Sequence, residues 1–206
     1  MQRIGLLGGT FDPVHFGHLR PAVEVRAALG LEQIRLIPAQ VSPLRSAPGA
    51  TGAHRIAMLR AAIQGADDLV VDGRELEREG PSYTIDTLEH VRRDFPDARL
   101  HLLMGADAFA DFERWHRWAE ILEHVHIVVT HRPGRPLRVP SGLAGSVVAD
   151  AAALEAVPAG RVWIQAVTQL DISATRIRAA AAAGRDLRFL MPAAARRYLE
   201  EHRLYE

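Results

Sequence analysis

Gly8-Gly9-Thr10-Phe11-Asp12-Pro13-Val14-His15-Phe16-Gly17-His18-Leu19 is the stretch on which the reading of this chain turns. Before it lies an apolar run, Ile4-Gly5-Leu6-Leu7, that reads as a buried first strand. After it, residues 19–29 have the amphipathic pattern of a helix. A strand that breaks at two glycines, crosses a short polar loop and feeds a helix brings backbone N–H groups and a helix N-terminus to one point. That geometry suits an anion such as a phosphate. The residue types agree. Gly8 and Gly9 lack Cβ, so a ligand can approach the backbone closely. Thr10 adds a hydroxyl and Pro13 stiffens the loop. With the helix beginning near Gly17, His15 and His18 both face the loop, and Gly17 leaves room between them.

Composition narrows the classes. The 206 residues suffice for one domain, 1–206, with a sizeable core, and 48% hydrophobic with 24% charged residues is ordinary for a globular protein. Lys+Arg and Asp+Glu balance at 25 each, so no global field favours nucleic acid or a membrane surface. The absence of cysteine excludes disulfides, thiolate metal sites and cysteine nucleophiles, and fits a reducing compartment. The chain enters its first strand almost at once, without a charged-then-apolar leader, and no apolar run approaches a membrane span. A cytoplasmic protein is expected. Oligomeric state is open.

Working outward, strands are expected at 4–7, 33–38, 69–72, 99–104, 126–130 and 162–166. Helices are expected at 19–29, at 51–64 with Ile56, Leu59 and Ile63 on one face, and at 83–93, capped by Ser82 with Asp86 in the early turn. Others fall at 118–123, from Ser173 to a stop near Gly184, and from Pro192 to about His202. Residues 105–115 read as mixed and short-helical. Residues 131–160 read as long proline-rich loops with one short helix at 150–156. This alternation predicts an α/β fold: a doubly wound, mostly parallel sheet of about six strands with helices on both faces. Gly8-Gly9, Pro38, Gly105 and Thr130-His131 each follow a strand and should cluster where ligands bind in such sheets.

Two familiar phosphate motifs are missing. Gly5, Gly8, Gly9 and Gly17 do not fit G-x-G-x-x-G, and there is no G-x-x-x-x-G-K-[ST]. No H-E-x-x-H run is present either. A second constellation is Ile172-Ser173-Ala174-Thr175-Arg176-Ile177-Arg178. Ser173, Thr175 and the first-turn N–H groups could hold phosphate oxygens, with Arg178 as a fork. By its residues alone, this run equally describes an N-cap with a solvated arginine. Likewise Trp115 alone fits core packing, and Asp107 alone a helix cap.

The run from Gly9 to His18 closely resembles the signature of the HxGH nucleotidylyltransferases, which join a nucleophile to the α-phosphorus of a nucleoside triphosphate. Ile172 to Arg178 resembles the I-S-x-T-x-I-R signature near the C-terminus of the same enzymes, in the expected order. Arg74-Glu75-Leu76, Pro81-Ser82-Tyr83-Thr84-Ile85-Asp86-Thr87-Leu88, Met104-Gly105-Ala106-Asp107-Ala108-Phe109 and Phe112-Glu113-Arg114-Trp115-His116 resemble one branch, the bacterial nicotinate-nucleotide adenylyltransferases. The resemblance covers nearly the whole chain, through Tyr198 to Tyr205. It departs at Ser42-Pro43-Leu44-Arg45. There the family shows a proline pair, a histidine and a basic residue; Arg45 keeps the basic group, but Leu44 lacks a histidine's polar contacts.

The resemblance implies a Rossmann-like fold and the reaction of nicotinate mononucleotide with ATP to give deamido-NAD and pyrophosphate. It implies His18 as the main donor to the α-phosphate and His15 as a triphosphate ligand. Gly8, Gly9, Thr10, Phe11, Gly105, Asp107, Ile172, Ser173, Thr175 and Arg178 fall on the ATP side, Gly105 and Asp107 by the ribose. Arg45, Ser82, Tyr83, Thr84, Trp115 and His116 fall on the substrate side. Trp115 would stack on the pyridine ring, and the 82–84 segment would meet the nicotinate carboxylate. Mg²⁺ is expected to arrive with ATP, held by phosphates and water without a metal site in the protein. Alternatives are a related transferase acting on nicotinamide mononucleotide, phosphopantetheine or a cytidine nucleotide, and a non-catalytic nucleotide-binding module. A dehydrogenase-type dinucleotide binder is disfavoured by the missing glycine fingerprint.

Overall fold

A computed structural model describes residues 1–41, 47–131, 134, 136–168 and 170–206. Its strands are β1 (Arg3–Gly9), β2 (Gln33–Pro38), β3 (Leu69–Val71), β4 (Arg99–Gly105), β5 (His126–His131), β6 (Val147–Val148) and β7 (Val162–Ala166). They form one seven-stranded sheet in the order β3-β2-β1-β4-β5-β7-β6, with every pairing parallel. The helices are α1 (Phe16–Leu29), α2 (Gly52–Ala62), α3 (Thr84–Asp94), α4 (Ala106–Ala110), α5 (Trp118–His124), α6 (Ala174–Ala182) and α7 (Ala193–Glu201).

The parallel strands are apolar on both faces because helices cover both. One core packs Leu19, Ala22 and Val25 of α1, Met58 and Leu59 of α2, Ile177 of α6 and Leu199 of α7 against Ile34 and Leu36 of β2. The other packs Ile85, Leu88 and Val91 of α3, Phe109 of α4 and Ile121 of α5 against Ile4, Leu6, Leu100 and Leu102. This is a Rossmann-like α/β fold. Among the described residues, no helix is long and apolar enough to cross a membrane.

The sheet order reverses at β1, which lies between β2 and β4. At the C-terminal ends of these strands Gly9 pairs with Pro38, and Gly105 pairs with Thr130. The strand-end residues expected to cluster are therefore neighbours around the reversal, where open parallel sheets take their ligands.

Three local expectations are corrected. The seventh strand, β6, lies inside the 131–160 stretch, which also holds 3-10 turns at Ser141–Ser146 and Ala151–Ala156. Two valines are too short for periodicity to reveal. Ser82 does not cap α3. Tyr83 occupies the N-cap position without a side-chain bond, and Ser82 Oγ instead accepts from Gln40 N at 2.8 Å. The buried face of α2 is Arg55, Met58 and Leu59 rather than Ile56, Leu59 and Ile63. It is rotated because Arg55 enters the core to serve backbone carbonyls there. Elsewhere the ends behave as read: Ser173 accepts from Arg176 N at 3.3 Å to cap α6. Gly184, at φ 62°, follows its last turn.

At the opposite end of the sheet, His101 (1% exposed) and His126 (0%) lie with ring centroids 5.5 Å apart. His126 Nε2 meets the Val157 carbonyl at 3.1 Å and its Nδ1 accepts from Arg161 N at 3.3 Å, so the neutral ring satisfies both partners. Burial lowers the pKa of His101 to about 4. Unfolded, the same ring titrates near 6.5, so between these values the unfolded chain binds more protons and stability rises with pH. Stability should be level above pH 6.5 and fall as pH drops towards 4, by about 3 kcal/mol for this group. Denaturant midpoints at pH 7 and pH 5 check this, and His101→Phe should shrink the difference by this ring's share, leaving what the buried His15 and His126 contribute.

Candidate active site

The loop between β1 and α1 is built around Asp12. Its carboxylate is 3% exposed and accepts from Gly49 N at 2.7 Å, Ala50 N at 3.0 Å and the Tyr205 hydroxyl at 2.7 Å. Arg178 Nη1 donates to the Asp12 carbonyl at 2.7 Å and stands 3.6 Å from its carboxylate. Behind the loop, Arg55 Nη1 donates to the carbonyls of Thr10 and Ala39, both at 2.8 Å. The loop is thus fastened from beneath, and Gly8, near the end of β1 that feeds it, has open space where a Cβ would be. Phe11 turns its ring into the core at 1% exposure, with φ at 49°.

His15 is the N-cap of α1, and the two histidine rings stack with centroids 3.7 Å apart. The backbone N–H of His15 donates to His18 Nδ1 at 3.3 Å. An accepting Nδ1 carries no proton, so His18 is held in the tautomer whose donor is Nε2–H. His15 is 5% exposed, and burial lowers its pKa to about 4, so this ring is neutral at pH 7. Phe11 meets His18 edge-on at 5.2 Å. Gly17 is boxed in: a Cβ there would lie 2.9 Å from His15 Nδ1 and 3.0 Å from the Ile172 carbonyl oxygen.

That last contact joins the two signatures. Ile172 opens the segment whose Ser173 caps α6, and Arg178, one turn on, reaches the Asp12 carbonyl and lies 3.5 Å from Thr175 Oγ1. The start of α6 therefore faces the start of α1. A cleft runs beside them, lined by Leu7, Gly17, His18, Gly105, Thr130 and Leu170 among others. Gly105 thus shares a cleft with His18, and Asp107 is exposed in the first turn of α4 beside it. Glu24 accepts from Thr168 N at 2.7 Å, tying α1 to the segment after β7.

The residues expected on the substrate side form a second group. Ser82 is tied to the end of β2 through Gln40 N and through its own N–H to the Val41 carbonyl at 2.8 Å. Tyr83 packs on His116 at 4.4 Å, and Trp115, half-buried, packs on Phe112 at 5.2 Å. Thr84 begins α3. Arg45 and Leu44 lie outside the described residues. Beneath this group Glu75, 7% exposed, accepts from Thr87 Oγ1 at 2.7 Å, and burial raises its pKa.

Asp12, Arg55, Glu75 and Tyr205 support the site but received no role from the sequence. Asp12, Glu75 and Tyr205 lay within runs that carried the resemblance, whereas Arg55 lay in none.

The cytidylyltransferase-like family pattern matches residues 6–180. A probable nicotinate-nucleotide adenylyltransferase of Pseudomonas putida strain W619 is 48% identical, with 100% of this chain and 95% of the relative covered. One from Aeromonas salmonicida is 46% identical over 98% of this chain and 97% of the relative. Among solved structures, the nicotinic acid mononucleotide adenylyltransferase of Plasmodium falciparum complexed with NaAD shares the fold at a TM-score of 0.74 and 16% identity, covering 100% of this chain and 98% of that one.

Proposed function

This chain belongs to the cytidylyltransferase-like family, in its nicotinate-nucleotide adenylyltransferase branch, and on that premise we propose how its residues perform the reaction. The enzyme acts in NAD biosynthesis, transferring AMP from ATP to nicotinate mononucleotide and releasing pyrophosphate. A phosphate oxygen of nicotinate mononucleotide attacks the α-phosphorus. The bond from that phosphorus to the bridging oxygen of the β-phosphate breaks, and pyrophosphate leaves with the electron pair. The nucleophile is already ionised at neutral pH, so no general base and no covalent enzyme intermediate are needed. Catalysis is positioning together with charge stabilisation at phosphorus.

The observation that carries this reading is the cleft shared by Gly17, His18, Gly105 and Thr130, with the Ile172 carbonyl that leads into α6 close against Gly17. His18 Nε2–H donates to the α-phosphate as charge builds there. Neutral His15 stacks on His18 and binds the triphosphate next to it, with Gly9, Thr10 and Phe11 shaping the loop beneath. Ser173, Thr175 and Arg178 receive the β- and γ-phosphates at the N-terminus of α6, with Ile172 leading into it. Arg45, between β2 and α2 in the sequence, adds positive charge towards the phosphates. Gly105 and Asp107 meet the ATP ribose.

Mg²⁺ enters as MgATP, that is, as substrate. The loop's own carboxylate, Asp12, already accepts from two N–H groups and a hydroxyl, so no side chain of the loop is assigned to the ion. The N-terminus of α3, with Ser82 and Thr84, receives the nicotinate carboxylate, while Trp115 stacks on the pyridine and Tyr83 with His116 closes that side. We place the reaction in the cytoplasm, where a chain without cysteine and its substrates both fit.

Pyrophosphate release from MgATP, with nicotinate and nicotinamide mononucleotides side by side, tests the assignment. A hydrogen-bonded charge is worth about 1.5–3 kcal/mol, so the acid should be preferred by about tenfold to a hundredfold in kcat/KM. Equal use of both would remove the carboxylate role from residues 82–84. Release with neither would remove the assigned reaction.

A further inference from the structure

We propose that Tyr205 is a positioning residue for phosphate transfer: through the buried Asp12 carboxylate, its hydroxyl fixes the histidine loop against residues 49–50 and Arg178. The inference rests on the reading above, in which that loop and Arg178 act on the triphosphate.

Asp12 is placed where a phosphate loop least tolerates it. A carboxylate under a loop that must receive a triphosphate repels the ligand unless its charge is occupied. Here it is occupied from three sides. Oδ1 accepts from Tyr205 OH and Ala50 N, Oδ2 accepts from Gly49 N, and Arg178 supplies the neighbouring positive charge. These donors come from widely separated parts of the chain, and Tyr205 is 193 residues from Asp12. The hydroxyl therefore ties the far end of the chain to the signature loop.

The tyrosine is fitted to this task. Its φ is 71°, a left-handed value unfavourable for a bulky residue and maintained only where surrounding contacts over-determine it. Gly49 lets the ring close: a Cβ there would stand 3.3 Å from Tyr205 Cδ1 and Cε1 and 3.6 Å from Arg178 Cδ. Burial and the Asp12 acceptor both raise the tyrosine pKa, so the hydroxyl remains a donor across the working range of pH. One carboxylate therefore sets the spacing of two phosphate-binding groups, the histidine loop and Arg178.

The test is steady-state pyrophosphate release, below all melting midpoints, for Tyr205→Phe beside Tyr198→Phe. Both lose one hydroxyl and keep the ring. Tyr198 OH meets His54 Nδ1 at 3.0 Å and does not reach Asp12, so it reports the purely structural cost. Tyr205→Phe is expected to lose about tenfold in kcat/KM for MgATP, with KM for nicotinate mononucleotide within about twofold of wild type. Tyr198→Phe should keep wild-type turnover. Wild-type kinetics in Tyr205→Phe, or equal losses in the two variants, would overturn the proposal. Adding Tyr205→Phe to Asp12→Asn should cost little beyond Asp12→Asn alone, because both act through one carboxylate; fully additive losses would overturn that route. Wild-type protein that releases no pyrophosphate would instead refute the assigned reaction.

Discussion

His18→Ala should lower kcat by about 10²–10³ while KM for nicotinate mononucleotide stays within about threefold, the range seen when one preorganised donor to a developing oxyanion is removed. The reasoning starts from the ring's orientation. His18 Nδ1 is committed to the His15 backbone N–H at 3.3 Å, which turns Nε2–H into the donor. A donor fixed before the reaction needs no reorganisation as charge builds on the α-phosphate oxygens, and an alanine leaves water to do that work. The fold should survive. The truncation removes one side-chain acceptor and one stacking partner from the first turn of α1, at about 1 kcal/mol, or a fall of about 2–4 °C in Tm for a chain of this size. The acceptor substrate should barely notice, since its pyridine end is assigned to Trp115 and the start of α3. Single-turnover kinetics with a melting curve check all three quantities together. Turnover within about fivefold of wild type, in a folded variant, would take His18 out of the donor role, because so small a change falls below any single oxyanion contact.

How much of this was legible beforehand depended on the range of each signal. The opening string carried strand, glycine break, loop and helix within one short window, so β1, α1 and the histidine pair were readable from local pattern. The alternation of apolar runs gave the parallel sheet for the same reason. β6 was hidden because Val147-Val148 spans a single strand period, too short for an alternation to show. The face of α2 was misread because periodicity ranks Ile56 above Arg55, whereas the loop needs a guanidinium to satisfy the carbonyls of Thr10 and Ala39. A serine just before a helical run normally signals a cap, but Ser82 is claimed by Gln40 N, 42 residues away in the chain. The same limit concealed the support beneath the site. Asp12 is anchored by residues at 49, 50, 178 and 205, and no window of sequence contains that arrangement. Local chemistry shows which groups could act; the long-range contacts that hold them in place appear only in the fold.

Gly17→Ala should be the most damaging single-methyl change in the chain, with kcat reduced by about 10²-fold and Tm lowered as well. Two effects compete. Gly17 lies in the first turn of α1 and is not among the positive-φ residues, so alanine would ordinarily stabilise by about 0.4–1 kcal/mol through the unfolded state. Against this stands the space available. The new Cβ would lie 2.9 Å from His15 Nδ1, 3.0 Å from His15 Cε1 and 3.0 Å from the Ile172 carbonyl oxygen. None of these can yield cheaply. The His15 ring is 5% exposed and stacked on His18 at 3.7 Å, so moving it moves the histidine pair to which we assign the chemistry. The Ile172 carbonyl belongs to the backbone that leads into Ser173 and Thr175, so moving it shifts the start of α6, where we place the phosphates. Overpacking of this kind costs about 1–3 kcal/mol, more than the helix gains, and a misplacement near 1 Å at a reacting centre costs about 10²-fold. The distinguishing result is the combination. His18→Ala should lose turnover with little loss of stability, whereas Gly17→Ala should lose both and should also raise KM for MgATP, since the clash displaces the groups that bind it. A Gly17→Ala enzyme that melts higher than wild type and turns over normally would show that α1 and α6 can separate at no cost. The contact between the two signatures would then not hold the site together.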